Sequence, residues 1–291
     1  TNLPKVHDYL AEFKRDVLDF YDCFTVGEGP RMEPEVALSY VREGKDKVLD
    51  MMINFAHMEA DCFITDFLQR PFDLVKLKKA FTKWQTKMYG KGWNALYMEN
   101  HDHPRIISRY GSEKYRVESG KSIAASYLFQ RGTPFVYQGQ EIGMINTPLP
   151  SLDDYKDIMV KNNARIARSL GLSKETVLRL AQKASRDNAR TCMQWSSAPN
   201  AGFTNGKPWF VVNSNYKDIN VESQLGDPGS ILNFYRNALQ FRRDNPVVIY
   251  GDYVEHMPKS KELYVYERNL AGKKLLVICS YSEKCVRFDA P

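Results

Sequence analysis

Long apolar runs are missing from this 291-residue chain. No stretch of about 18 consecutive apolar residues occurs, so no segment reads as a membrane-spanning helix. An apolar leader is missing too, and the first residue is Thr1 rather than methionine, so the natural start is expected to lie upstream. Cysteine is scarce and odd in number: Cys23, Cys62, Cys192, Cys279 and Cys285 include no CxxC pair. This argues against a disulfide framework or a zinc site and for free thiols in a reducing cytoplasm. Excess charge of one sign is small, with 41 Lys plus Arg against 35 Asp plus Glu and a net charge of +6. The lysine-rich stretch Lys76, Lys78, Lys79, Lys83 and Lys87 interleaves with Leu74, Leu77, Phe81, Trp84 and Met88. Those apolar residues recur at helical spacing, so the lysines are the solvated side of an amphipathic helix and not a nucleic-acid surface. Neither a GxGxxG nor a GxxxxGK loop follows any strand-like run, and GxSxG does not occur. Dinucleotide binding, P-loop chemistry and a serine-hydrolase elbow thus lose their motifs. No fixed-period repeat or low-complexity tract is present.

What is present is ordinary globular material, 43% hydrophobic, 12% aromatic and 26% charged, enough for one large domain or one and a piece. Val6, Leu10, Phe13, Val17 and Phe20 recur at helical spacing behind Pro4 and lead to a strand over 23–26 that stops at Gly27-Glu28. Pro34 opens a helix through Val41, and an apolar run over 48–55 reads as a second strand. A helix over 73–89 leads to a third strand over 93–98, which ends in Glu99-Asn100-His101-Asp102. A helix over 113–129 leads to a fourth strand over 133–137, ending in Gln138-Gly139-Gln140-Glu141. Helix-then-strand alternation with polar strand ends predicts parallel βα units and the active face of a (β/α)8 barrel. Four strands make half of one; a doubly wound open sheet is the alternative. Residues 152–189 are helical and charged, a loop with Pro199, Gly202, Gly206 and Pro208 follows, and 231–244 is another amphipathic helix. Beyond Pro246 the pattern alternates over 263–268 and 273–281 around a turn at 269–272, which predicts an all-β unit. The chain therefore divides into 1–245 and 246–291.

Glu28 and Asp102 end two different strands. Two carboxylates meeting on the open face of a barrel suit glycosidic bond cleavage, although each also reads as a surface acid or helix cap. His101 and His103 flank Asp102, but alternate residues of an extended segment face opposite ways, and no further His or Cys cluster completes a metal shell. The polar-aromatic loop 194–209 is either a substrate rim or a packed loop.

Thr25-Val26-Gly27-Glu28, Glu99-Asn100-His101-Asp102-His103-Pro104-Arg105 and the run from Thr133 to Met144 closely resemble the α-amylase superfamily, glycoside hydrolase family 13. Within it they are similar to the α-glucosidase and oligo-1,6-glucosidase branch, as are the run Ser185 to Trp195 and Asn200-Ala201-Gly202-Phe203. Two departures are Cys192, where the branch usually has proline, and the looser Gly29-Pro30-Arg31-Met32.

The resemblance implies Glu28 as general acid/base and Asp102 as the second carboxylate, holding sugar hydroxyls and favouring the distorted transition state. It implies His101 on the same ring, with Arg105 binding substrate by ordering the site. An acid in that role needs its pKa raised by partial burial and neighbouring carboxylates. By the same resemblance the chain corresponds to strands five to eight plus the start of a C-terminal β domain. The nucleophilic aspartate, the inserted domain and a second sugar-binding histidine are then expected upstream, and the chain alone is expected to be inactive. The implied activity is retaining hydrolysis of terminal non-reducing α-linked glucose from short oligosaccharides, by a cytoplasmic enzyme with no nucleic-acid or membrane partner. No cofactor is implied in this span, and the resemblance leaves a structural calcium open for the other half. A transglycosylating sucrose isomerase is the near alternative; a non-catalytic amylase-like ectodomain is the distant one.

Overall fold

A computed structural model of the chain describes residues 3–44, 47–63 and 67–289. Helix and strand alternate through its first half. α1 (Lys5–Asp16) leads to β1 (Val26–Gly29), α2 (Pro34–Val41) to β2 (Met51–Asn54), and α3 (Leu74–Met88) to β3 (Ala95–Leu96). The short α4 (Ile106–Tyr110) and then α5 (Arg116–Leu128) lead to β4 (Thr133–Pro134). Next come α6 (Ile158–Ser169), α7 (Lys174–Ala184), α8 (Val221–Leu225), α9 (Ile231–Asp244) and α10 (Pro246–Tyr250). Three strands close the chain: β5 (Asp252–His256), β6 (Leu263–Leu270) and β7 (Lys273–Ser280).

Short polar side chains set the helix starts. Asp73 accepts from the backbone N–H of Val75 and Lys76 ahead of α3, Ser173 from Thr176 ahead of α7, and Ser230 from Asn233 ahead of α9. Pro34 takes the first position of α2, where its missing N–H costs nothing. β1 pairs in parallel with β2 and β3 with β4, and a parallel bridge from Met52 to Asn94 joins the two pairs in chain order. Gly132 makes the last pairing fit: its φ is +144°, and a Cβ there would come within 2.5 Å of the Asn94 carbonyl oxygen. β5, β6 and β7 form an antiparallel sheet in sequence order.

That sheet shares one core with the parallel half. Leu77, Phe81, Tyr127, Leu128, Ile231 and Tyr235 bury against Tyr264, Tyr266 and Val277. Burial of each such side chain contributes roughly 1.5–3 kcal/mol. Lys78 pins the contact: its buried Nζ donates to the carbonyls of Met257, Ser260 and Leu263 at 2.7, 2.9 and 3.2 Å. The α6–α7 hairpin has a separate small core of Tyr155, Val160, Ala164, Val177 and Ala181.

Several boundaries differ from the sequence expectation. The first strand begins at Val26, because Thr25 is fastened to Asp50 through its N–H at 2.7 Å and its hydroxyl at 3.0 Å. Glu28 therefore lies within β1 rather than beyond it. β3 and β4 pair over two residues each; Tyr97 and Met98 stay buried after the ladder ends, so apolar character overstated strand length. α4 is too short to show a helical period, and β5 carries Asp252, Glu255 and His256 among five residues, so neither reads as an element from sequence. On α1 no residue is buried, and Tyr9 and Phe13 on it and Phe20, Tyr21 and Phe24 after it are exposed. Among the described residues no helix is long and apolar enough to cross a membrane. Cys23, Cys192, Cys279 and Cys285 form no disulfide.

Candidate active site

A cavity of about 1060 Å³ opens at the C-terminal ends of the parallel strands. β1 supplies Glu28, the turn after β2 supplies Phe55, and the turn after β3 supplies Asp102 and His103. Asp157, ahead of α6, and Arg186, just past α7, close another side. Polar side chains gather there because strand ends leave backbone and side chains free of the ladder.

Asn100 shapes the turn that holds Asp102. Its Oδ1 accepts the Asp102 N–H at 3.0 Å and lies 2.8 Å from His103 Nδ1. The segment is thus a turn, not extended backbone, and Asp102 and His103 both line the cavity instead of facing opposite ways. Two guanidinium groups grip one oxygen of Asp102: Oδ1 accepts from Arg186 Nη1 at 3.2 Å and from Arg190 Nη2 at 3.0 Å. Oδ2 lies 3.5 Å from His101 Nε2. The Asp102 side chain is 34% exposed and that of His101 64%. His101 sits at the rim beside Asp102 and does not line the cavity.

Behind the turn, Arg105 is sealed from solvent at 0% exposure. Its Nη1 donates to Glu99 Oε2 at 2.9 Å and to the Gln138 carbonyl at 2.7 Å. Glu99 Oε1 accepts the Ile106 N–H at 2.8 Å, and the Arg105 N–H goes to Asn146 Oδ1 at 3.0 Å. Burial pushes the Glu99 carboxyl up, and the Arg105 guanidinium and the Ile106 N–H pull it partly back. Arg105 is therefore a strut beneath the site; the expectation that it binds substrate is corrected by its burial.

Asp157 behaves differently. Burial works against its charge, but the Arg186 guanidinium and the Met159 N–H outweigh that and hold the carboxyl below its usual range. Glu28 is exposed, so the partial burial anticipated for an acid is not supplied by its neighbours in this chain. The loop 194–209 does not line the cavity; its Trp209 carbonyl takes the Lys156 ammonium at 2.9 Å. Cys192 is buried and its N–H donates to the Val211 carbonyl at 3.2 Å, a bond proline could not make. Among the described residues no group of three or more His, Cys, Asp or Glu could hold a metal ion.

Asp157, Arg186 and Arg190 received no role from the sequence. For the arginines a signal existed, two guanidinium groups four residues apart around a polar run. Asp157 gave none, since it sits in a stretch that reads as solvated helix.

A family profile described as the alpha amylase catalytic domain matches residues 1–251. Oligo-1,6-glucosidase from Parageobacillus thermoglucosidasius is 42% identical over 293 residues, covering 100% of this chain and 52% of that protein. Trehalose-6-phosphate hydrolase from Bacillus licheniformis superposes with a TM-score of 0.94 at 40% identity, over 99% of this chain and 52% of the other. Isomaltulose synthase from Klebsiella sp. LX3 does so with a TM-score of 0.94 at 34% identity, over 99% and 52%. The chain spans about half the length of the curated relatives it matches.

Proposed function

The chain belongs to the alpha-amylase family, and from that premise we propose that it supplies the acid side of a retaining glycosidase acting on terminal α-linked glucose of short oligosaccharides. The observation that carries the proposal is the convergence of Glu28 and Asp102 on one cavity, with Asp102 held by two guanidinium groups. Glu28 protonates the departing glycosidic oxygen and then deprotonates the incoming water. Asp102 accepts hydrogen bonds from ring hydroxyls that tighten as the sugar distorts, and His101 reaches the same ring from the rim. A retaining reaction needs one more carboxylate as nucleophile, which this proposal assigns to the part of the relatives that the chain does not match.

In the same proposal β1 to β4 are strands five to eight of a (β/α)8 barrel, and 246–291 begins a C-terminal β domain packed against it. Their parallel order and the cavity at their C-terminal ends support it. A neutral sugar suits the cavity better than the sugar phosphate named in the trehalose-6-phosphate hydrolase. Glu28, Glu59, Asp102 and Asp157 line it against Arg31 and Arg186, and Arg186 is already held by two of those carboxylates. Sucrose isomerisation, as in the isomaltulose synthase, is the second reading, with a sugar hydroxyl replacing water. We assign the enzyme to the cytoplasm on its odd number of cysteines with no CxxC pair.

The test is a chimera: the Parageobacillus oligo-1,6-glucosidase with its matched half replaced by this chain, assayed on isomaltose, maltose and sucrose. Glucose release from isomaltose or maltose is expected. Conversion of sucrose to an isomeric disaccharide instead would favour isomerisation. A folded chimera inert on all three would favour a non-catalytic relative.

A further inference from the structure

We propose that Asp157 is a positioning residue, which aims the Arg186 guanidinium so that Arg186 holds the Asp102 carboxylate; this rests on the glycosidase reading above. A guanidinium is a rigid planar fork of five N–H donors, so fixing one edge fixes where the other points. Arg186 puts Nε and Nη2 on Asp157 Oδ1 at 3.1 and 2.6 Å, and the opposite Nη1 on Asp102 Oδ1 at 3.2 Å. The Arg186 backbone N–H donates to Asp157 Oδ2 at 3.2 Å, so both oxygens of Asp157 are committed to one residue.

Asp157 is itself hard to move. Its side chain is 2% exposed, its Oδ1 also takes the Met159 N–H at 2.9 Å, and its own N–H donates to Asp187 Oδ2 at 3.0 Å. Asp187 Oδ2 accepts the Lys156 N–H too, at 2.7 Å, which pins the backbone on the preceding residue. Arg190 does not duplicate the arrangement, because its Nε is spent on the His101 carbonyl at 2.9 Å while Nη2 reaches Asp102. One oxygen of Asp102 is thereby saturated by two fixed donors. Oδ2 is left to receive sugar hydroxyls, and its direction is set by a residue at the foot of the α6–α7 hairpin.

A plain capping role for Asp157 makes a different forecast. Asn in its place still accepts the Met159 N–H and keeps the size, but it removes the charge that orients Arg186. Asp157→Asn in the chimera is therefore expected to lower kcat on isomaltose by about 10- to 100-fold, with KM within about 3-fold of the parent. Arg186→Lys, a point charge that cannot span two carboxylates, is expected to do the same. A crystal structure of the Asp157→Asn chain gives a readout independent of turnover: Arg186 Nη1 should leave Asp102 Oδ1. An active parent chimera with Asp157→Asn unchanged in kcat overturns the positioning role, and so does a variant structure with that contact intact. If the parent chimera is inert, the glycosidase reading fails by itself, and the variant structure still decides whether Asp157 aims Arg186 at Asp102.

Discussion

Three buried ionisable residues near the cavity meet burial in two opposite ways. Arg105 and Glu99 are paired and capped by backbone groups, so each needs the other. Glu99→Ala leaves an unpaired guanidinium at 0% exposure, and a loss of about 3–5 kcal/mol in urea denaturation is expected. His57 is kept neutral instead. It packs against Phe81 and Tyr97, and burial, followed by the nearby His103, pushes its imidazole down to about 3. An unfolded imidazole takes its proton near pH 6.5, so between those values the unfolded chain binds more protons than the folded one. Stability should therefore fall as pH drops below about 6.5, by about 2 kcal/mol between pH 7 and pH 5 from this residue. His57→Gln should flatten that slope in denaturation curves at the two pH values; an unchanged slope would remove His57 as its source. Residues of this kind were only partly legible in the sequence. Glu28 and Asp102 stood out because each follows an apolar run, where a charge is conspicuous. The partners of Asp102 did not, because Arg186 lies 84 residues further along the chain and ion pairs at such separations leave no periodic trace.

Helices were legible where period and punctuation agreed. Pro34, Asp73 and Ser230 mark the starts of α2, α3 and α9, and the apolar residues behind them recur every three or four positions. Strands were blurred, since short runs buried on both faces lack alternation and so have no sharp ends. β6 and β7 escaped that because their hairpin turn is set by Ala271 and Gly272, both at positive φ. Part of the contact between the final sheet and α3 could not be read, because it uses a lysine that patterning assigns to solvent. Lys78 is buried, and its ammonium satisfies three carbonyls of the β5–β6 connection and the start of β6. Lys78→Met keeps the bulk but strands those carbonyls, and a loss of about 2–4 kcal/mol is expected. Equal stability of variant and parent in urea would show that water replaces the ammonium there.

At the scale of the whole molecule, the exposed aromatic side chains on and after α1 are expected to govern how the chain behaves by itself. Tyr9, Phe13, Phe20, Tyr21 and Phe24 are all at least half exposed, five large apolar side chains within a short stretch of chain. Self-association at micromolar concentration is expected in light scattering, and Phe20→Ser with Phe24→Ser should reduce it without lowering the melting temperature. A monodisperse parent chain would contradict that. The parallel half and the antiparallel sheet share one core, so a single cooperative unfolding transition is expected for both.

The most direct measurement compares the chimera with its Glu28→Gln variant on isomaltose and on α-glucosyl fluoride. A glycosidic oxygen needs a proton to leave, and fluoride leaves without one. The expected result is a loss of at least about 100-fold in kcat/KM on isomaltose, while kcat/KM on the fluoride, which reports only the first glycosyl transfer, is retained within a few fold. Equal losses on both substrates, or none on either, would contradict Glu28 as the acid that this chain brings to the site.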